Sequence, residues 1–376
     1  MTKKQTILES KYLYENIIGI LKQTESKKPF LVCGHSFMKN PVYQKLLDQK
    51  EYEFTTFHDY EPNPKYESVV KAVESFQKNE CDFLISVGGG SPMDVTKSIK
   101  AFCNMPKDQP YILQTITPNK IPHLAIPTTA GTGSESTHFA VIYYEGKKYS
   151  VSEESLLPEY VILDASLLSG LSKYQRKATM LDALCHAIES FWSVKSSEES
   201  RKLSETALKT IMECYDAYLE NTEEGNKQML YAANLSGQAI NLTTTTAAHA
   251  MCYKLTSIYG IAHGHAAALC LPKLWNYMIK HPSNVQDERG QGYVEESFAK
   301  LAEIFGCKTS QEAVLQLEKM ITSLGLDVPQ LTSEEELEIL AASVNLQRLS
   351  NNPIALSEKD LKDIYRTILK EKAKAA

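Results

Sequence analysis

The chain predicts two halves of different character: an α/β domain built on a parallel sheet over residues 1–166, then an all-α domain over 167–376. Three observations carry this expectation. Short apolar runs alternate with helical patterns as far as Asp164, and long helical patterns without a convincing strand follow from about Ala165. The 376 residues also exceed the roughly 250–300 over which one hydrophobic core keeps growing. Two domains of this size leave a cleft between them as the expected place for a site.

In order, Phe30-Leu-Val-Cys33 reads as a strand, Val42 to Gln49 as a helix and Phe54-Thr-Thr-Phe57 as a second strand. The period repeats with helical spacing from Tyr66 to Lys78, a buried strand Asp82-Phe-Leu-Ile-Ser-Val87 ending in glycines, and a helix from Asp94 to Asn104. Such alternation implies right-handed βαβ units and a Rossmann-like parallel sheet. A further strand, His123-Leu-Ala-Ile126, runs through Pro127 into the loop Thr128-Thr-Ala-Gly-Thr-Gly-Ser-Glu135. Phe139 to Tyr144 pairs as a hairpin with Lys148 to Val151 across Glu145-Gly146, and Tyr160 to Asp164 closes this half. Helical patterns then cover Leu181 to Val194, Glu198 to Glu220, Lys227 to Asn241, Ala247 to Tyr259 and several stretches beyond Glu295, with His281 to Gly292 reading as a surface loop.

With 43% hydrophobic and 23% charged residues, the composition is that of a globular protein able to offset its folding entropy by apolar burial. A net charge of −6 with scattered Lys and Arg disfavours nucleic acid and anionic membrane surfaces, which need clustered positive charge. The eight cysteines form no C-x-x-C pair and mostly sit in apolar runs, which suits a reducing, cytoplasmic setting. Met1 to Gln23 is polar and Lys-rich, without the apolar core of a signal peptide, and no run is apolar enough to enter a membrane.

Chemistry is suggested at two places. Gly88, Gly89, Gly90 and Ser91, followed by Asp94, join a buried strand to a helix; backbone amides there can approach a ligand closely and the helix N-terminus attracts negative charge. The competing reading is a tight turn capped by Ser91 or Asp94. A second Gly/Ser/Thr-rich loop carrying Thr128, Thr129, Thr132 and Ser134 follows a later strand, and paired loops at the carboxyl ends of parallel strands are where open α/β sheets bind dinucleotides.

The second place is in the helical half. Asp182 and His186, spaced i, i+4, stand one turn apart on one helix face; His249 and His263 offer two more nitrogens, the latter in the glycine-flanked turn Gly260-Ile-Ala-His-Gly264. One carboxylate and three imidazoles suit Fe²⁺ or Zn²⁺ better than Mg²⁺ or Ca²⁺. His265 is a competing donor, and a capped helix face or satisfied core histidines are the alternatives for each residue alone.

These elements together resemble the group III, iron-dependent alcohol dehydrogenases, in the superfamily that also holds glycerol dehydrogenase and dehydroquinate synthase. The matching residues are Glu61-Pro-Asn-Pro64, Gly88-Gly-Gly-Ser91 with Asp94 and Lys97, Pro127-Thr-Thr with Gly131-Thr-Gly-Ser-Glu135, Asp182-Ala-Leu-Cys-His186-Ala-Ile-Glu189, and His249 with His263-Gly264. The resemblance implies a two-domain, dehydroquinate-synthase-like architecture and a homodimer. It also implies Fe²⁺, or Zn²⁺ in its place, on Asp182, His186, His249 and His263, with NAD or NADP held by the two glycine-bearing loops.

Two positions depart from the family pattern. Where relatives carry a second histidine four residues after the third ligand, here stands Tyr253, either a proton relay or an aromatic packing against the cofactor. Where NAD-preferring relatives place an acidic residue after the first strand, here stands Gly34, leaving room for a 2′-phosphate near His35, Ser36 and Lys39 and favouring NADP(H).

The resulting expectation is a hydride transfer between NAD(P)H and a small aldehyde or alcohol. The stretch from His249 to His265 is similar to a phosphonoacetaldehyde reductase branch, in which Lys254 would pair with an anionic substrate group or else remain a solvated helix lysine. A dehydroquinate-synthase-like lyase, a glycerol-dehydrogenase-like enzyme and a non-catalytic nucleotide-binding protein are the alternatives.

Overall fold

The structure is a computed structural model that describes residues 5–344 and 346–370, without the side chains of 346 and 347. The chain divides into two compact units, one running to Gly170 and the other beginning at Leu171.

The first unit is built on strands β1 (Thr6–Glu9), β2 (Pro29–Cys33), β3 (Thr55–Phe57), β4 (Phe83–Gly88), β5 (His123–Pro127), β6 (Phe139–Tyr144), β7 (Lys147–Ser152) and β8 (Tyr160–Leu163). Six of them form one parallel sheet in the order β1-β8-β5-β4-β2-β3. Helices α1 (Leu13–Gln23), α2 (Pro41–Leu47), α3 (Tyr66–Lys78) and α4 (Gly90–Phe102) supply the crossovers. Alternate residues of β2 enter two separate cores: Phe30 and Val32 pack with Val69, Val73 and Phe76 of α3, while Leu31 and Cys33 pack with Ile17 and Leu21 of α1 and Leu46 of α2. Both faces are therefore covered, which is why the central strands read as continuous apolar runs rather than alternations.

The strand order reverses at β2. The chain passes from β2 out to β3 at the edge and then to β4 on the other side, so the segments after β2 and β4 flank the crevice where such sheets take ligands. β6 and β7 form the expected hairpin; Glu145 and Gly146 both have positive φ (49° and 71°), the geometry of a two-residue turn whose twist matches the strands.

Several elements differ from the sequence expectation. β1 and α1 lie in the stretch read as merely polar: β1 is a mostly exposed edge strand with no apolar alternation, and α1 shows its buried face only as Leu13, Ile17, Ile20 and Leu21. α4 starts at Gly90, not Asp94, because extended Gly89 is its N-cap and Pro92 is tolerated in the first turn, where its missing N–H costs nothing. Ser91 and Asp94 are therefore inside the helix and cap nothing.

The second unit is helical. α5 (Lys173–Trp192), α6 (Glu198–Leu219), α7 (Glu223–Thr243), α8 (Ala247–Tyr259) and α9 (His263–Lys280) are followed by α10 (Gln291–Ile304), α11 (Ser310–Ser323), α12 (Glu334–Ala342) and α13 (Glu358–Ile368). Among its described residues only isolated bridges occur, Val285 with Ile354 and Gln330 with Lys370. α5 begins eight residues before the apolar pattern does, because Ser172 caps it by accepting from Gln175 N and its first turns face outward. From Met180 to Trp192 it is buried on every face, the mark of a helix at the centre of a bundle. His263 is the first residue of α9 rather than part of a turn.

Candidate functional site

In the first unit the two glycine-bearing loops leave the sheet side by side. Gly88 ends β4 opposite Pro127 of β5, and Thr128 N donates to Gly88 O at 2.9 Å. Gly88 has φ of +155°, and a Cβ there would lie 2.4 Å from Pro92 Cγ, so glycine is required at the turn. Side chains at Gly89 and Gly90 would crowd Thr129 at 3.3 Å and Thr132 at 3.4 Å. The close approach leaves the first-turn amides of α4, at Ser91 and its neighbours, as the donor end of a helix. Gly34 and exposed Ser36 follow β2 on the other side of the strand reversal.

Asp94 and Ser134, expected beside the nucleotide, are tied to Lys97. This lysine is fully buried, and its Nζ donates to Ser134 O (2.6 Å), Ser134 Oγ (3.0 Å), Thr137 Oγ1 (2.9 Å) and Phe139 O (3.0 Å), while Ser134 Oγ donates to Asp94 Oδ1 (3.4 Å). Burial pushes the Lys97 ammonium down and the Asp94 carboxyl up, each opposed by the other's charge. Four acceptors on one buried cation make it a strut between α4 and the second loop, a part the motif match had not given it.

In the second unit three helices converge. Asp182 of α5, His249 of α8 and His263 of α9 each bring one donor atom within 4.8 Å of the others, the one such group of three among the described residues. Asp182 and His249 are buried. His186, one turn after Asp182, stacks its ring on His249 with centroids 4.4 Å apart and planes at 12°; it flanks the group of three without belonging to it. Gly264 makes the convergence possible, since a Cβ there would stand 2.1 Å from Ala178 O and 2.6 Å from Asp182 Cβ. The start of α9 therefore rests directly on the backbone of α5. His265 points elsewhere, with its Nδ1 3.2 Å from Tyr174 Oη, which in turn accepts from Ala262 N.

A carboxylate missed as a functional residue organises His249. Glu189 is fully buried; its Oε2 accepts from His249 Nδ1 and its Oε1 accepts from His249 N (3.2 Å), Thr246 N (3.0 Å) and Thr246 Oγ1 (2.7 Å). His249 Nε2 then faces Asp182 Oδ1 at 3.3 Å. A carboxylate on one ring nitrogen, with the other turned toward a second candidate ligand, is the arrangement that orients a ligating imidazole. Burial alone would raise the Asp182 and Glu189 carboxyls, but His186, His249 and His263 around the first, and His249 and Thr246 on the second, hold both below the usual range. Burial would lower His249, yet Glu189 and Asp182 raise it to about 9. The spacing Asp182, His186, Glu189 is i, i+4, i+7, so Glu189 was visible as the next position on that face.

Tyr253, one turn after His249, lies against His263 with ring centroids 5.0 Å apart and planes at 27°. Its phenol is pushed up by burial, against the lowering influence of Arg348, whose guanidinium carbon stands 5.3 Å from the ring centre. Lys254 is half-buried, and helix geometry points it about 140° round from His249. Cys252 Sγ is 3.4 Å from His263 Nδ1.

Comparison with known proteins places both halves of the chain. Residues 5–165 match the iron-containing alcohol dehydrogenase family and residues 177–369 the C-terminal domain of the Fe-containing alcohol dehydrogenase family. A phosphonoacetaldehyde reductase of Streptomyces viridochromogenes is 31% identical over 346 residues, spanning 88% of this chain and 87% of that protein. An NADPH-dependent butanol dehydrogenase of Clostridium saccharobutylicum is 29% identical over 357 residues, 91% of this chain and 87% of its own. Sulfoacetaldehyde reductase from Bifidobacterium kashiwanohense, solved in complex with NAD⁺, superposes with a TM-score of 0.87 at 26% identity over 97% of each chain. With both halves matched and both domain architectures shared, the chain belongs to the iron-containing alcohol dehydrogenase family.

Proposed function

We infer that the protein transfers a hydride between NAD(P)H and a small aldehyde or alcohol, with Asp182, His186, His249 and His263 holding Fe²⁺ or Zn²⁺. The observation that carries this reading is the convergence of Asp182, His249 and His263 donors within 4.8 Å from three separate helices. The set fits a borderline divalent ion: an ionised carboxylate among imidazoles, with Glu189 fixing the proton of His249 on Nδ1 so that Nε2 is left to ligate. When bound, the cation supplies Lewis-acid polarisation of the carbonyl and the nicotinamide supplies the hydride.

The chain's own residues do the rest. Asp182 and the imidazoles would hold the cation in a buried, low-dielectric setting, where its charge would act most strongly on the oxygen end of the substrate. The amides after Gly88 and the N-terminus of α4 receive the pyrophosphate, with Thr128, Thr129 and Thr132 on the adjoining loop and Lys97 holding Ser134 in place. Gly34 removes the side chain that would meet a 2′-phosphate, which favours NADP(H). Tyr253 flanks the reacting end.

The substrate class in this reading is an anionic aldehyde, phosphonoacetaldehyde reduced to 2-hydroxyethylphosphonate, in keeping with the names of two relatives. A homodimer in a reducing cytoplasm belongs to the same reading; seven of the eight free thiols are buried, and no helix among the described residues is long and apolar enough to cross a membrane. The test is an anaerobic assay of Fe²⁺- or Zn²⁺-reconstituted protein with NADH and NADPH against neutral and phosphonate-bearing aldehydes. Turnover is expected with NADPH and the phosphonate; equal rates on butanal sink the anionic substrate, and no turnover of any aldehyde sinks the whole reading.

A further inference from the structure

We propose that Arg348 is the residue that recognises the acid group of the substrate, so that the site selects short aldehydes carrying a phosphonate or sulfonate. This rests on the hydride-transfer reading above and names the specificity determinant that reading lacks.

Arg348 lies in the single helical turn Leu346–Leu349, far from the ligand helices in sequence. Its guanidinium carbon stands 5.3 Å from the Tyr253 ring centre, and the Tyr253 ring lies 5.0 Å from that of His263. Guanidinium, phenol and imidazole are thus linked in a chain leading from Arg348 to the donor cluster. Lys254, the basic residue on the neighbouring helix position, is directed away from His249 by the helix itself.

The guanidinium is held by built structure. Its Nη1 donates to Thr245 Oγ1, one residue before the Thr246 that Glu189 grips. Three residues on, buried Asn351 Nδ2 donates to Thr243 O (2.8 Å), Thr244 Oγ1 (3.0 Å) and Thr245 O (3.0 Å), and its Oδ1 accepts from Ser193 Oγ (2.8 Å). The turn carrying Arg348 is therefore bolted to the segment that positions His249, and little ordering entropy remains for a ligand to meet.

The charge balance calls for such a cation. The buried carboxylates Asp182 and Glu189 would be offset by the imidazoles and a bound divalent ion at the carbonyl end, so an acid group at the other end of the substrate needs a positive group of its own. A guanidinium presents paired N–H donors that match two oxygens of a phosphonate or sulfonate, which an ammonium cannot do. Half-buried at the edge of the cluster, Arg348 meets the acid group while the carbonyl end faces the imidazoles.

The experiment uses the reconstituted full chain as wild type, Arg348→Met and Arg348→Lys. Kinetics are taken with phosphonoacetaldehyde, sulfoacetaldehyde and butanal, and binding of 2-hydroxyethylphosphonate and of 2-hydroxyethylsulfonate is measured by calorimetry. In Arg348→Met the ratio of kcat/KM for the anionic aldehydes to that for butanal falls by roughly ten- to a hundredfold, chiefly through KM. The same variant loses affinity for the product anions by a similar factor, with Arg348→Lys in between. Which anion loses more tells phosphonate from sulfonate. A ratio that is unchanged because all three substrates fall together makes Arg348 a clamp on Tyr253 and overturns the proposal, as does product-anion affinity equal in wild type and Arg348→Met. If wild type reduces no aldehyde at all, the hydride-transfer reading fails, and calorimetry still decides the role of Arg348.

Discussion

Glu189 Oε2 accepts the Nδ1 proton of His249, and this one contact decides which nitrogen of the imidazole faces Asp182 and His263. It predicts that Glu189→Gln keeps the fold but loses the charge that orients and strengthens the ligand. Cation affinity, measured by competition with a chelator, should fall by about 10–100-fold while nucleotide affinity is unchanged. Unaltered cation affinity would show that Glu189 is only a packing and capping residue.

The same contact gives the metal-free protein a pH signature. His249 is raised from 6.5 to about 9, so its protonated form contributes stability that is complete below 6.5 and is lost as pH rises through about 9. Chelator-treated protein should therefore melt at progressively lower temperature across that window. Cation-loaded protein should not, because the ion replaces the proton on Nε2. Parallel pH curves for the two forms would contradict this assignment.

Gly264→Ala tests the close approach of α9 to α5. The added methyl would meet Ala178 O at 2.1 Å, so α9 must shift and take His263 with it. We expect a loss of about 1–3 kcal/mol in denaturant unfolding, together with weaker cation binding. A stable variant with full cation occupancy would show that the helix contact has more slack than this spacing allows.

Lys97→Met probes the other unit. It removes the cation that Ser134 O, Thr137 Oγ1 and Phe139 O all share, and with it the buried positive charge that acts most strongly against the raising of the Asp94 carboxyl. Destabilisation of about 3–5 kcal/mol is expected, with weaker nucleotide binding read by fluorescence titration. Retained nucleotide affinity would separate the strut from the phosphate cradle.

Legibility in the sequence followed physical range. The buried strands around Leu31 and Ile85 and the helix Tyr66–Lys78 carry their signal in local periodicity. β1 does not, because a mostly exposed edge strand needs no apolar alternation. Asp182 and His186 were readable as a helix face, and Glu189 sat one turn further on the same face. That His249 and His263 meet them depends on Gly264 against the backbone of α5, a contact no local pattern encodes. The family resemblance supplied that pairing in advance. Arg348, in a four-residue turn far from the ligands in sequence, gave no signal; its own bond to Thr245 and the Asn351 bonds to the 243–245 segment bring it to Tyr253.

The most direct test is the number of ions bound per chain in wild type and in His249→Ala, by elemental analysis after anaerobic Fe²⁺ loading. One ion per wild-type chain is expected, with loss of both ion and aldehyde reduction in His249→Ala. Undiminished reduction by chelated wild type, or by an ion-free His249→Ala protein, would contradict the account.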